Sequence, residues 1–238
     1  MERERFTRTK MVIGQDGLDQ LHNAHVAVFG IGGVGSFTVE ALARAGVGKI
    51  TLIDFDVIVV TNINRQIHAL EDTIGQAKVE AMKARILKIN PEMEVVALQM
   101  LYNDETCESI FSGGFDYVVD AIDLITWKMH LIEHCTKNNI PIMSSMGTGN
   151  KMDPTQFKVA DLYETSFCPL AKILRHELRQ RGVNKLKVVY STEVPCKPDP
   201  LDYNPDNLRK LTPGSISFVP SVAGLIIASE VVKDLIAR

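Results

Sequence analysis

The sequence predicts an α/β protein of the Rossmann-like, doubly wound class, with a mostly parallel sheet and an antiparallel C-terminal extension. Three observations predict this class. Short apolar, β-branched runs alternate with helix-length segments, a loop of four glycines follows the first run, and the alternation stops after about residue 150. Strands that alternate with helices of this length indicate right-handed crossovers and therefore a parallel sheet.

The predicted elements follow one another in a regular order. Strands are predicted at 25–30, 49–54, 94–99, 116–122 and 140–145, and helices at 34–46, 73–90, 104–112 and 125–138. Beyond residue 150, "DPTQFKVADL" and "LKVVYSTEV" predict strands on either side of a basic helix at 169–181. A Pro/Asp-rich segment at 195–213 predicts a mobile loop, and an apolar helix at 219–236 ends the chain.

That last helix is apolar enough to raise the question of a membrane anchor. A membrane span needs about 20 apolar residues. Pro220 opens the run and Glu230 interrupts it. We therefore expect a buried helix packed on the sheet, and no contact with a membrane.

Composition restricts the protein's class. The 238 residues are 45% hydrophobic and 23% charged, which is ordinary for a globular protein. We expect one domain, 1–238, with a nucleotide-binding core at about 20–150 and a substrate-facing elaboration at about 151–238. The net charge of −3 gives no overall attraction to nucleic acid, so such a site needs a local basic patch. Four scattered cysteines without a C-x-x-C pair, and a charged N-terminus, argue against a Cys₄ zinc site and a secretory signal and predict a cytoplasmic protein.

The glycine loop, "GIGGVGS", predicts a nucleotide site. Gly30, Gly32 and Gly35 match G-x-G-x-x-G, and Gly33 adds a further position where a phosphate can approach the backbone. The next helix points its N-terminus at that anion. Asp54 ends the second predicted strand, where a carboxylate accepts hydrogen bonds from ribose hydroxyls.

The segment after Asp54 indicates a triphosphate in place of a redox dinucleotide. Arg65 and Lys78 place two cations within a loop and a helical turn of the nucleotide site, where they can neutralise charge on a departing pyrophosphate. Taken alone, Arg65 and Lys78 each have the alternative of being an ordinary solvated surface residue. Together with the four glycines, the predicted nucleotide-binding set is Asp54, Asp56, Asn62, Asn64, Arg65, Gln66 and Lys78.

A carboxylate at the end of the fourth predicted strand suits a metal ion. "VVDAID" ends in Asp123, and ligands bind at the carboxyl ends of parallel strands. Mg²⁺ usually takes one or two protein carboxylates beside a phosphate. Asp123 is therefore the predicted Mg²⁺ ligand, and a helix N-cap is the alternative role.

These motifs resemble the E1-like adenylating family. The similarity is carried by "GIGGVGS", "DFDVIVVTNINRQ", "GQAKVEAMKARILKINPE" and "DAID", over residues 5 to about 150. "TNINRQIHAL" and "GTGNKMDPTQFKVADL" are most similar to the tRNA threonylcarbamoyladenosine dehydratase branch of that family. The resemblance implies ATP, Mg²⁺ and ring closure of N6-threonylcarbamoyladenosine beside the tRNA anticodon. It also implies a homodimer in which Arg8 reaches the ATP of the partner subunit, so Arg8, Arg65, Lys78 and Asp123 are the predicted catalytic residues.

Two alternatives remain open at this point. Other branches of the family adenylate the C-terminal glycine of a ubiquitin-like sulfur carrier, often with a late cysteine. Cys168 and Cys196 are late in the chain and are candidates for that cysteine; the alternative is that both are inert thiols. A sulfur-transfer or carrier protein is therefore a second possible partner. The other alternative is a binding protein or a nicotinamide-linked dehydrogenase on a Rossmann scaffold, which is disfavoured because the sequence contains no recognisable catalytic His or Tyr constellation. His68 is either a substrate contact or a structural histidine.

A basic segment offers a surface for tRNA. Residues 172–187 contain six basic residues against one acid, Glu177. Lys172, Arg175 and Arg179 recur at helical spacing on one face. With Arg181 they form the predicted contact to the anticodon arm, and a solvated helix face is the alternative.

Overall fold

Seven strands form one sheet in the computed structural model, which describes residues 2–197 and 213–237. The strands are β1 (His25–Phe29), β2 (Lys49–Ile53), β3 (Glu94–Leu98), β4 (Tyr117–Asp120), β5 (Ile142–Ser145), β6 (Phe157–Asp161) and β7 (Lys187–Ser191). Their spatial order is β3-β2-β1-β4-β5-β7-β6. All neighbours are parallel except β6 and β7, which are antiparallel. The predicted fold class, including its antiparallel C-terminal extension, is confirmed.

The helices are α1 (Glu2–Arg5), α2 (Thr7–Asn23), α3 (Gly35–Ala45), α4 (Lys78–Ile89), α5 (Asp104–Phe111), α6 (Ile125–Lys137), α7 (Pro169–Gln180) and α8 (Phe218–Ile236). The sequence pattern did not predict α1 or α2. Gly14, at φ 76°, kinks α2 into two shorter segments. The other helices agree with the predicted segments to within one residue at each end, except α4.

The start of α4 differs from the predicted helix at 73–90. Gly75 adopts φ 85°, a left-handed conformation that cannot continue a helix. Its N–H donates to the Ile58 carbonyl oxygen at 2.9 Å, and the Ile58 N–H donates to the Gln76 carbonyl oxygen at 2.9 Å. This pairing ties the chain before α4 to the loop after β2. As a result Lys78 is the first residue of the helix.

The C-terminal helix α8 is buried against α3. Val219, Ala223, Ile227, Val231 and Leu235 recur every four residues and are all buried. A side chain at the helix's Gly224 would overlap the carbonyl oxygen at the start of α3, so glycine permits this close approach. Within the described ranges, no helix is both long and apolar enough to cross a membrane. The loop predicted at 195–213 falls largely on 198–212, outside the described residues.

The strand register aligns the carboxyl ends of β1, β2 and β4. Phe29 of β1 lies level with Ile53 on one side and Asp120 on the other. The buried apolar strands pack between α3, α4 and α8 on one face and α5 and α6 on the other. The residues that follow the three strands therefore meet at one edge of the sheet.

Candidate functional site

A cavity of about 670 Å³ opens at this edge. Its wall comes from the glycine loop after β1, the segments after β2, β3 and β4, and residues near the start of α8. The predicted site residues that line it are Gly30, Gly32, Gly33, Asp54, Asp56, Asn62, Arg65, Gln66, Lys78 and Asp123. The fold thus brings together residues that are separated by up to 93 positions in the chain.

Two glycines in the loop are required by its own backbone. Gly30 adopts φ 88°, and a Cβ there would lie 2.6 Å from the Ala121 carbonyl oxygen. A Cβ on Gly35 would overlap the Gly30 carbonyl oxygen, and Gly35 does not line the cavity. These two residues shape the turn that leads β1 into α3.

The other two glycines differ from each other. A Cβ on Gly32 would meet nothing nearer than the Gln66 amide nitrogen, at 4.0 Å, so the space beside it belongs to the cavity. A Cβ on Gly33 would lie 3.1 Å from Pro220 and 3.3 Å from Arg65. Gly33 therefore allows Pro220 and Arg65 to pack closely against the loop. Gly32 instead leaves room for a phosphate at the N-terminus of α3, which has no side-chain cap.

Asp54 fixes the glycine loop to the end of β2. One carboxylate oxygen accepts the Ile31 N–H at 2.6 Å and the other accepts the Asp56 N–H at 2.9 Å. Burial raises the pKa of Asp54, while the Lys78 charge and both N–H groups oppose that rise. Each oxygen retains acceptor capacity, so the carboxylate can also accept hydrogen bonds from ribose hydroxyls.

The two predicted cations have different partners. The buried Lys78 ammonium lies 2.7 Å from the half-exposed Asp56 carboxylate. Arg65 donates from Nη1 to the Thr61 carbonyl oxygen at 2.8 Å and to Asn64 Oδ1 at 2.9 Å. Partial burial lowers the pKa of Arg65. Both side chains lie in the cavity wall, each held by a neighbour that a phosphate could replace or join.

Asn64 is not part of the cavity wall, contrary to the prediction. Its amide nitrogen donates to the Ser215 carbonyl oxygen at 2.9 Å, while its oxygen accepts from Arg65. Because Arg65 and Ser215 both line the cavity, Asn64 braces two wall residues. Its side-chain amide is used for that bridge.

Gln66 and His68 carry buried polar atoms that lack a partner within the described residues. Gln66 Oε1 is one of them, in a side chain that lines the cavity, where a ligand could satisfy it. The other two such atoms are the ring nitrogens of His68, which does not line the cavity. Burial, with the Lys78 and Arg85 charges, lowers the pKa of His68 to about 4. His68 is therefore a neutral, buried histidine near the wall.

The two carboxylates of "VVDAID" have separate roles. Asp120 is fully buried; Lys128 Nζ lies 2.9 Å from its Oδ2, and the Ser144 hydroxyl donates to that same oxygen at 2.6 Å. Asp123 is exposed, lines the cavity and forms no ion pair within the described residues. The N-cap of α6 is Leu124, so the alternative role of Asp123 as a helix cap is wrong. The unpaired Asp123 carboxylate is free to bind a cation.

Several cavity residues were not found by sequence reasoning. They are Tyr102, Trp127, Thr148, Ser215 and Pro220. Tyr102 follows β3 and shares a 2.9 Å hydrogen bond with His130 Nδ1. The rule that ligands lie beyond strand ends could have found Tyr102 and Thr148, which follow β3 and β5. Ser215 and Pro220 gave no such signal, because only the return of the chain to α8 brings them near.

Comparison with known proteins places these features in a family. The model of the ThiF family matches residues 6–238. The chain belongs to the ThiF family. It is 50% identical to the tRNA threonylcarbamoyladenosine dehydratase of Bacillus subtilis (strain 168), over 97% of this chain and 94% of that protein.

A solved structure has the same fold. The crystal structure of the E. coli tRNA N6-threonylcarbamoyladenosine dehydratase in complex with ATP matches with a TM-score of 0.90 at 40% identity. The match covers 99% of this chain and 95% of that one. The molybdopterin-synthase adenylyltransferase of Salmonella typhimurium (strain LT2) is 33% identical, over 59% of this chain and 57% of that protein.

The basic face of this ThiF-family chain forms a second cavity, of about 610 Å³, beside α7. Lys172, Arg175 and Arg179 line it with Tyr163, as their helical spacing predicts. The Arg179 guanidinium lies 4.8 Å from the centroid of the Tyr163 ring. Arg181 does not line this cavity and pairs with Glu133 at 3.3 Å, because it lies just beyond the last turn of α7.

The remaining predicted residues of this ThiF-family chain lie away from the nucleotide cavity. Arg8 is exposed in the first half of α2 and does not line the cavity. Cys168 is buried at the start of α7, whereas Cys196 is exposed and its N–H donates to the Asn150 carbonyl oxygen at 2.7 Å.

Proposed function

We propose that this protein is an ATP-dependent tRNA threonylcarbamoyladenosine dehydratase. It activates the carboxylate of N6-threonylcarbamoyladenosine as an acyl-adenylate and closes it into a ring. The observation that supports this most is the extent of the similarity. Identity to the named dehydratases runs through nearly the whole chain, including the C-terminal elaboration, whereas that to the adenylyltransferase covers little more than half.

The chemistry needs binding and charge neutralisation but no nucleophile from the protein. A carboxylate is a poor electrophile because its leaving group would be oxide. Attack of a carboxylate oxygen on the α-phosphorus of ATP forms the acyl-adenylate and expels pyrophosphate. A nitrogen or oxygen of the substrate's urea then attacks the acyl carbon and expels AMP. The substrate loses one water, and that oxygen leaves on AMP.

The cavity supplies groups for the phosphates and for the ribose of ATP. Gly32 and the N-terminus of α3 accept a phosphate, and Asp54 accepts the ribose hydroxyls. Arg65 and Lys78 neutralise the charge that develops as pyrophosphate leaves. Lys78 exchanges its partner Asp56 for a phosphate oxygen, and Gln66 Oε1 gains a donor.

The donor chemistry of the site fits a magnesium ion. Asp123 presents an exposed carboxylate without an ion pair in the described part of the chain, on the same wall as the two cations. Phosphate oxygens and water would complete the coordination, because Mg²⁺ takes few protein ligands. Bound there, Mg²⁺ would neutralise phosphate charge.

A homodimer would complete the site. Arg8 lies outside its own chain's cavity, on an exposed helical surface, so it is available to a second copy. An arginine supplied in trans to a phosphoryl-transfer site contributes on the order of 10³ to 10⁵ in rate. We place the protein in the cytoplasm, where its tRNA substrate is found.

The basic cavity beside α7 is the proposed surface for the tRNA anticodon arm. Lys172, Arg175 and Arg179 offer three cations on one helical face, in a chain whose net charge is −3. Attraction to tRNA is therefore local. Because phosphate contacts release counterions, binding at this face should weaken steeply with salt.

Pyrophosphate exchange into ATP tests the proposal and its alternative together. The assay is run with tRNA that carries N6-threonylcarbamoyladenosine, with a ubiquitin-like carrier protein, and with neither. Exchange only with the modified tRNA, and loss of one water from its nucleoside by mass spectrometry, support the dehydratase. Exchange that depends on the carrier would instead assign the adenylation of a carrier glycine, with Cys196 as the exposed thiol.

A further inference from the structure

Phe167 is an exposed aromatic side chain in an unusual backbone conformation. Its exposed fraction is 70%, and its φ is 58°, in the left-handed region that bulky residues rarely adopt. The next residue, Cys168, is buried, and Pro169 then begins α7. The exposed aromatic side chain thus directly precedes a buried residue and the start of a helix.

Phe167 adjoins an apolar cluster that also includes a residue of the segment after β5. Cys168 belongs to this cluster together with Met146, which follows the carboxyl end of β5. Met146 is two residues before Thr148, which lines the nucleotide cavity. Two residues span at most about 7 Å. The cluster therefore links the chain next to Phe167 with the segment that forms part of the cavity wall.

The basic cavity lies beside α7, which begins two residues after Phe167. Lys172, Arg175 and Arg179 line it along that helix, and within the described residues no acidic side chain does so. Arg175 donates from Nη1 to the Thr165 carbonyl oxygen at 2.8 Å and to the Thr165 hydroxyl oxygen, while its Nε and Nη2 make no hydrogen bond in the described ranges. One face of the Tyr163 ring is already covered by Arg179. Phe167 is therefore an exposed aromatic side chain that lies close in the chain to the basic cavity.

We propose that Phe167 stacks on an unpaired base of the tRNA anticodon loop, while the adjoining backbone follows the basic groove. This inference rests on the proposed function. An exposed ring next to a row of cations is the arrangement by which proteins hold single-stranded RNA, because every base has a π face and every nucleotide a phosphate. Stacking there would help to hold the loop while the modified nucleotide reaches the α-phosphate. The complementary charge of the groove favours RNA over a second copy of this acidic chain.

Binding of an anticodon stem-loop RNA oligonucleotide to the full-length protein tests the inference. We expect Phe167→Ala to weaken binding roughly 5- to 100-fold, the range for one base–aromatic stack. The slope of log affinity against log salt should not change, because no charge is removed. Phe167→Leu keeps an apolar side chain but lacks the aromatic ring, so it should lose affinity similarly. Phe167→Trp keeps an aromatic ring and should bind the RNA as the wild type does. Arg179→Gln should instead lower that slope by about 0.7 to 0.9.

Controls separate stacking from folding and from self-association. Phe167→Asn suits the left-handed backbone, so it should fold and still lose RNA affinity. Leu225→Ala removes a different exposed apolar side chain, on α8, and should bind RNA like wild type. The inference would be overturned if Phe167→Ala bound the RNA with wild-type affinity. It would also be overturned if light scattering showed that Phe167→Ala dissociates a dimer. Cyclisation of the modified nucleoside by the wild-type protein is measured separately, so failure of the proposed function remains distinguishable.

Discussion

Replacing Lys128 by methionine tests the buried ion pair that holds the loop between β4 and α6. Lys128 and Asp120 are 1% and 0% exposed. The Lys128 ammonium also donates to the Ile122 carbonyl oxygen at 2.9 Å, while Asp120 accepts the Ile122 N–H at 3.1 Å. The Lys128–Asp120 pair thus hydrogen-bonds both the N–H and the carbonyl group of Ile122, the residue before Asp123. Lys128→Met leaves a buried carboxylate without its counter-charge.

Removing one partner of a buried ion pair costs about 3 to 5 kcal/mol. That is a large part of the roughly 5 to 15 kcal/mol that stabilises a typical folded protein. For a chain of this size, the cost corresponds to a fall in melting temperature of about 6 to 20 °C. Urea denaturation without ATP, followed by far-UV circular dichroism, measures the free energy of unfolding directly.

A double-mutant cycle and a surface control sharpen this test. Lys128→Met combined with Asp120→Asn removes both charges and should be more stable than the sum of the single losses predicts. Lys137 pairs with Glu133 at 3.9 Å and is 70% exposed, so Lys137→Met should cost little or nothing. If Lys128→Met unfolds at the wild-type urea concentration, or if the two losses simply add, the ion pair does not hold this loop.

Three further outcomes are expected. Asp123→Ala and Lys78→Ala should each abolish pyrophosphate exchange in a folded protein, and near-wild-type exchange would remove that residue from the active site. Mixing Arg8→Ala chains with Lys78→Ala chains should restore part of the activity, because one site of each heterodimer is intact; a verified but inactive heterodimer would exclude action in trans. His68 has a folded pKa of about 4 against 6.5 unfolded, so the unfolded chain binds the extra proton between these pH values and stability falls as pH falls from 6.5 to 4. His68→Phe should remove about 3 kcal/mol of that fall in urea denaturation, and an unchanged pH profile would show that His68 is not buried neutral.

Sequence alone determined the features that depend on local pattern. The alternation of strand and helix, the glycine loop and Asp54 at a strand end are set by neighbours a few residues apart, and the structure confirms their placement. Parallel topology follows from that alternation because crossovers have one hand. The strand-end rule then added Asp123 to the predicted site, and closeness along the chain to the second strand added Arg65 and Lys78.

Tertiary structure decided which side chains face the cavity. The pairing of Gly75 with Ile58 set the start of α4, and Asn64 bonds to Ser215 instead of lining the cavity. Asp120 forms an ion pair with Lys128 in the core, whereas Asp123 forms none within the described residues. These outcomes depend on contacts between residues up to 151 positions apart. Spacing along the chain carries no information on such contacts, because only packing fixes which of several polar partners a side chain meets.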